Sequence, residues 1–488
     1  MVPVLLLLIP LFSGLALFAV KNENSVKTLA LLSSIVTLVV ALYGMTCANG
    51  SEYLIVNKEW LPALNSRFHM EVDGMGKVLT LLTALSFPIV FAATSGNRYE
   101  DSNRFYALML LTQAGLMGVF MAMDALLFYF FWELALIPVY FLCSHWGGER
   151  RIQVTFKFFV YTFVGSLLML TALIYLYFHA GQSFDIKAFY NIKLTSSKDA
   201  LMFWLMFVAF AIKMPLVPFH TWQPDTYEQS PTAVTMILSG VMVKMGVFGV
   251  IRWVAPVLPI SFYQYGDTIT WMAIIGMIYA SLVAMQQDDL KRLVAYSSIA
   301  HIGLMVVALF ATTKSGMQGV MIQMFNHGIN IIGMWIVVNA IEQKFGTRKM
   351  SQLGGIAQKA PGLAILLVIV ALANIALPLT NAFVGEFMMF NGVFASTVTR
   401  FNVVFTVSAA LTIILAAVYT LKMLQKVLFG EANAVTAQAT DISFSVKASL
   451  VIIVGAILLF GVYPKPMLGV TSELVDVLLN KMTLTMGK

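Results

Sequence analysis

The 488-residue chain is 59% apolar and only 11% charged, with a mean hydropathy of +0.85; soluble domains run near a quarter charged, so lipid must face much of this surface. The net charge of +7 does not indicate nucleic-acid binding, because Lys and Arg sit in short loops between apolar runs rather than on one stripe. Two cysteines, Cys47 and Cys143, are too few and too scattered for a disulfide framework or an iron–sulfur cluster, no Gly-rich dinucleotide fingerprint follows a strand, and the reading therefore assigns this chain no cofactor, no metal and no path for electrons.

A membrane span needs about 20 apolar residues, and about fourteen such stretches follow one another. They lie near 1–20, 28–47, 75–94, 104–122, 124–142, 156–178, 200–217, 232–254, 267–286, 291–312, 315–343, 360–394, 401–429 and 446–463. The first has no basic leader and no small-residue cleavage site, so it reads as a retained span rather than a signal peptide. Stretches 49–73 and 181–199 read as short external loops. Pro215 and Pro218 interrupt the seventh span just after Lys213; Pro378 and Asn381 interrupt the twelfth, which is too long for one straight helix. The whole chain is thus one all-α polytopic membrane domain. Loops after odd-numbered spans carry roughly twice the Lys and Arg of the others, which puts those loops in the cytoplasm and both termini outside. Proline-broken helices at matched places in two halves point to a transport site.

Four ionisable residues lie where lipid or a dry bundle should surround them: Glu133 in FYFFWELALIPVYFL, Lys213 in FVAFAIKMPLVPFHTW, Lys244 in SGVMVKMGVFGV and Glu386 in ALPLTNAFVGEFMMF. Each costs roughly 2.5–3.5 kcal/mol at a span centre, on the order of 10 kcal/mol together, unless paired, hydrated or used. Two polar stripes extend them. Ser297 and His301 stand four apart in the tenth span; Gln323, His327 and Asn330 share one face of the eleventh. Lone stripes of this kind serve helix–helix hydrogen bonding as readily as transport. Two on successive helices, between Lys244 and Glu386, favour a hydrated path. The two histidines lack a third ligand at metal-binding spacing.

A carboxylate about 4 Å from an ammonium group is worth about 4 kcal/mol at an effective dielectric near 20. That exceeds the roughly 2.3 kcal/mol per charge of a 100 mV potential. Opening and closing a Glu133–Lys213 pair is therefore large enough to drive a proton switch. Asp124, at the start of the fifth span, reads either as a helix cap or as part of a proton intake. His220, Asp225 and Glu228 follow the broken seventh helix with no basic residue among them. They feed protons toward Lys213 or merely order a loop.

The strings DALLFYFFWELALIPVYFL, FAIKMPLVPFHTWQPDTYEQSPTAV, MVKMGVFGVIR, QQDDLKRLVAYSSIAHIGLM, MFNHGIN and NAFVGEF closely resemble the antiporter-like subunits of complex I and the Mrp-type sodium/proton antiporters, in the same order from about Asp73 to Gly430. Glu386, where L- and N-type subunits usually carry lysine, and an end after the fourteenth span point to the M-type branch. The resemblance implies fourteen helices in two inverted five-helix repeats, helices 4–8 over 104–254 and helices 9–13 over 267–429, with helices 7 and 12 broken. It also implies that Glu133, Lys213, Lys244, His301, His327 and Glu386 carry protons, with Asp124, His220, Asp225 and Ser297 beside them. The family usually reads HTWLPDAH where this chain has HTWQPDTY, so Tyr227 replaces a histidine. Tyrosine is a poor proton acceptor near neutral pH.

The implied activity is proton translocation as a membrane-arm subunit of a respiratory NADH:quinone oxidoreductase, in the bacterial inner membrane. The implied partners are L-like and N-like antiporter subunits, small membrane subunits and a peripheral redox arm, with FMN, iron–sulfur clusters and quinone in the partner subunits. The rival readings are a Mrp-type antiporter subunit and the pump subunit of a membrane-bound hydrogenase. A structural scaffold is disfavoured by the intramembrane charges.

Overall fold

A computed structural model describes residues 1–437 and 440–486. Among these, eleven helices are long and apolar enough to cross a membrane, and the protein is a polytopic all-α membrane protein. Helices are the form such runs must take in lipid, because every backbone N–H and C=O is then satisfied within its own segment.

Burial separates the centre from the rim. In Thr232–Val254, Leu290–Phe310 and Lys314–Phe345 the apolar stretch is wholly buried, whereas in Arg151–His179, Asn402–Leu428 and Phe444–Val462 it is 39%, 33% and 22% buried. The rim helices are therefore the lipid- or subunit-facing ones. Glycine lets the central helices touch. A Cβ on Gly240 would lie 2.6 Å from Ile332, and one on Gly328 would lie 2.7 Å from the Gly240 carbonyl oxygen. Only at such a crossing can two backbones approach this closely. It brings the helix of Lys244 against the helix of His327.

Both proline-marked stretches are broken. Ser196–Lys213 ends at the lysine, and the chain resumes helix at Trp222–Gln229. The Trp222 indole N–H donates to the Ile212 carbonyl at 2.9 Å, satisfying an acceptor that the missing next turn would have used. Pro361–Asn374 is separated from Asn381–Phe394 by a segment in which Ala376 and Leu379 take positive φ, 55° and 75°. Non-glycine residues in that region cost about 1–3 kcal/mol each. The helix of Lys244 is continuous, but π-helical turns at Leu238–Met242 and Val250–Val254 flank the lysine.

Two elements differ from the sequence reading. Residues 49–73 are not a plain loop: Ile55–Leu61 and Ser66–Glu71 form an antiparallel hairpin, with Ile55 opposite Glu71. Its first strand shows no clean alternation of burial, which is why no strand was legible. The chain also does not stop after the span at Phe444–Val462. Lys465–Met486 is a further helix whose Glu473, Asp476 and Lys481 lower its hydropathy. It packs so closely that a Cβ on Gly74 would meet the Val470 carbonyl oxygen at 2.3 Å, and Lys314 pairs with Asp476 at 2.7 Å.

Candidate functional site: a buried line of ionisable groups

Four of the sequence-flagged residues come together as one line. The Lys244 Nζ donates to the Ser239 carbonyl at 2.7 Å and lies 2.8 Å from His327 Nδ1. The π-turn explains the first contact, since it frees a carbonyl that an unbroken α-helix would occupy. The His327 and His301 ring centroids are 5.6 Å apart. His301 Nδ1 in turn lies 3.2 Å from Glu386 Oε1, which also accepts from Gln323 Nε2 at 3.4 Å. All four side chains are buried or nearly so.

Both histidine Nε2 atoms are buried without a protein hydrogen-bond partner. Beside His301 and Glu386 lies a cavity of about 20 Å³ lined also by Thr412 and Tyr419. About 10–15 Å³ of such space suffices for one water.

Glu133 and Lys213 stand apart from this line. No ion pair joins them within the 4.0 Å that defines one. The Lys213 Nζ has no hydrogen-bond partner and sits over the rings of Trp132, at 5.4 Å, and Phe158, at 5.9 Å. Glu133 Oε1 is likewise buried and unpartnered, beside an apolar groove lined by Trp60, Tyr129 and Ile137. Lys213 nevertheless ends close to the central helix: a Cβ on Gly246 would lie 2.6 Å from the Phe210 carbonyl oxygen and 2.7 Å from Met214.

The remaining flagged residues are placed differently. Asp124 is wholly buried and accepts four hydrogen bonds, from the amides of Leu126, Leu127 and Arg67 and from the Ser66 hydroxyl. It caps its helix and ties the hairpin to it. His220 is buried with its ring edge on Tyr279 at 5.4 Å and its Nδ1 unpartnered. Asp225 does not point at Lys213; it is held by Lys157 at 2.9 Å and Arg292 at 3.2 Å. Glu228 is bound by Arg150, Arg292 and Arg348, and Arg348 continues to Asp289 and Glu342. The acids that stand alone in the sequence thus meet their bases from distant elements. This cluster borders a polar cavity of about 1020 Å³ that reaches Ser230, Pro231 and Thr232 at the start of the Lys244 helix. Ser297 accepts from Tyr419 at 2.9 Å and from Asn374 at 3.2 Å.

The family model described as NADH:quinone oxidoreductase/Mrp antiporter, TM, matches residues 122–412, more than half of the chain. The chain belongs to this family. Subunit M of NADH-quinone oxidoreductase from Rickettsia typhi is 34% identical over 489 residues, covering 97% of each chain. The Escherichia coli K12 subunit M is 32% identical over 429 residues, 85% of this chain and 83% of that one. A chain of the respiratory complex I of Thermus thermophilus superposes with a TM-score of 0.90 at 27% identity, over 98% of this chain and all of that one. A chain of the Mrp complex from Dietzia reaches 0.86 at 17% identity, over 98% and 97%; at that identity the likeness is one of fold.

For a member of the NADH:quinone oxidoreductase/Mrp antiporter family, the chemistry available here is proton transfer. Among the described residues no cluster of three or more His, Cys, Asp or Glu could hold a metal ion. Asn326, Asn374 and Tyr419 escaped the sequence reading. Asn374 and Tyr419 sit singly in apolar runs, and Asn326 was overshadowed by His327 beside it.

Proposed function

We propose that this chain is a proton-translocating membrane-arm subunit of a respiratory NADH:quinone oxidoreductase, of the M type. The observation that carries the reading is the contact line Lys244–His327–His301–Glu386, each member within reach of the next in the buried centre of the bundle. Thirty-four per cent identity to a subunit M over 97% of both chains supports the complex it serves. Its partners are L-like and N-like subunits, small membrane subunits and a redox arm. FMN, iron–sulfur clusters and quinone belong to the partner subunits, and no step in this chain passes through them. We place the chain in the bacterial inner membrane with both termini outside, and assign ten of its fourteen spans to two inverted five-helix repeats, helices 4–8 over 104–254 and helices 9–13 over 267–429.

The geometry suggests the order of steps. The large polar cavity by Glu228 is the cytoplasmic mouth. From Thr232, the buried hydroxyls of Thr235 and Ser239 lead along one helix to Lys244. With Lys244 as the ammonium donor, His327 accepts at Nδ1 and keeps its own proton on Nε2. A proton taken up at Nδ1 is released from Nε2, crosses to His301 Nε2 directly or through one water, and leaves from His301 Nδ1 to Glu386. Lys244 is left neutral and regains its charge with the next proton, whereas each histidine is neutral again on release but carries its proton on the other nitrogen, so its tautomer must be restored before the next transfer. Glu133 and Lys213 act on the line through their field. Lys213 lies unpartnered beside the Lys244 helix, so a carboxylate brought to it changes the potential that Lys244 feels.

The test is to purify the assembly containing this chain and measure NADH oxidation with a quinone, together with proton uptake into vesicles. Activity with flavin and iron–sulfur partners, lost as pumping in Lys244→Ala, is expected. A clean assembly lacking that activity and those cofactors overturns the complex I assignment in favour of a Mrp-type antiporter subunit.

A further inference from the structure

The short break between Asn374 and Asn381 is unfavourable in itself, with Ala376 and Leu379 at positive φ. It also carries Glu386 on its far side, so its shape decides where that carboxylate lands. Side chains from three other helices, and one of its own, hold it. Asn330 Nδ2 donates to the Ala373 carbonyl at 3.2 Å, just before the break. Asn326 Nδ2 donates to the Asn381 carbonyl at 2.8 Å, just after it. Asn374 reaches across to the Ser297 hydroxyl, which also accepts from Tyr419. All of these groups are buried, where a lost hydrogen bond is not replaced by bulk water.

These holding groups sit where the histidines sit. Asn326 and Asn330 flank His327 on its helix, one residue before and three after. Ser297 lies one helical turn before His301. Tyr419 lines the small cavity shared by His301 and Glu386. A shift of the break would therefore move Glu386 relative to both rings, and a shift of either ring's helix would pull on the break.

We propose that Asn326, Asn330, Asn374 and Tyr419 are positioning residues that hold the break at 375–380 in the shape presenting the Glu386 carboxylate to His301. The inference rests on the proton-path reading above. It adds that the last transfer depends on amide and phenol groups that carry no proton themselves.

The experiment compares Tyr419→Phe, Asn330→Ser and Glu386→Gln in the assembled complex, each normalised to flavin content. Displacing reacting atoms by a fraction of an ångström slows transfer by roughly tenfold or more. Tyr419→Phe and Asn330→Ser are therefore expected to cut proton pumping per complex by roughly tenfold and to displace the pH–rate profile, which a mere loss of folded complex does not do. Assembled variants with unchanged pumping, or with pumping reduced but the pH profile unmoved, overturn the inference. If Tyr419→Phe fails to assemble, Asn330→Ser is decisive by the same two outcomes. If Glu386→Gln itself pumps normally, the proton-path reading fails, and that failure is distinct.

Discussion

The ammonium nitrogen of Lys244 lies 2.8 Å from Nδ1 of His327. The contact spans two helices that meet through Gly240 and Gly328, and in the proposed path it makes His327 the next acceptor for a proton on the lysine. Replacing His327 by alanine removes that acceptor while leaving the glycine crossing intact. Pumping is expected to fall by at least about 100-fold, the usual contribution of a placed acid–base group. Proton uptake in reconstituted vesicles measures it, and His327→Ala pumping at the wild-type rate would refute the line.

The Lys213 ammonium nitrogen and one carboxylate oxygen of Glu133, Oε1, are buried without a hydrogen-bond partner, which is costly for polar groups of this kind. In the proposed switch the two residues form an open pair. Glu133→Gln removes the charge that closure would bring to Lys213. Coupled proton flux is expected to drop several-fold, with assembly retained because Glu133 makes no structural ion pair. Unchanged flux in assembled complex would rule out the switch.

Glu228 joins two parts of the chain far apart in sequence, through Arg150, Arg292 and Arg348. Its side chain is 13% exposed. Glu228→Gln leaves these guanidinium groups without their shared carboxylate. A cost of about 1–3 kcal/mol is expected, between the values for exposed and buried pairs. The melting temperature of the variant should also depend less on salt than that of the parent, because the screened interactions are gone. Identical melting curves at low and high salt for both proteins would contradict this.

Asp185 closes the hairpin end of the molecule by accepting from His69 at 2.8 Å. Burial pushes its carboxyl up, but the hydrogen bonds from His69 and the Lys187 amide and the charges of both residues outweigh it, and the group sits below the ordinary aspartate value. An acid held down in this way contributes stability above its unfolded value of about 3.9. That contribution is lost as pH falls through the lowered folded value. Thermal stability should therefore decline on acidification below about pH 4, and Asp185→Asn should flatten that part of the curve. A variant with the same acid limb as the parent would assign the loss elsewhere.

Much of this molecule was legible in one dimension. Runs of apolar residues long enough to span a bilayer must become helices, since lipid offers the backbone no other partners; charges inside such runs are too costly to be incidental. Lys244, His301, His327 and Glu386 were therefore visible as a set, and so were the proline-marked breaks. Which of them touch was decided by the tertiary structure alone. The Gly240–Gly328 crossing sets Lys244 against His327, and the break after Asn374 sets Glu386 against His301. The same packing leaves Glu133 and Lys213 apart, turns Asp124 into a cap, and gives Asp225 and Glu228 basic partners from distant elements. Hydropathy reports the environment of each residue along the chain, whereas a hydrogen bond depends on distances between helices, and those are set by which small residues let two backbones meet.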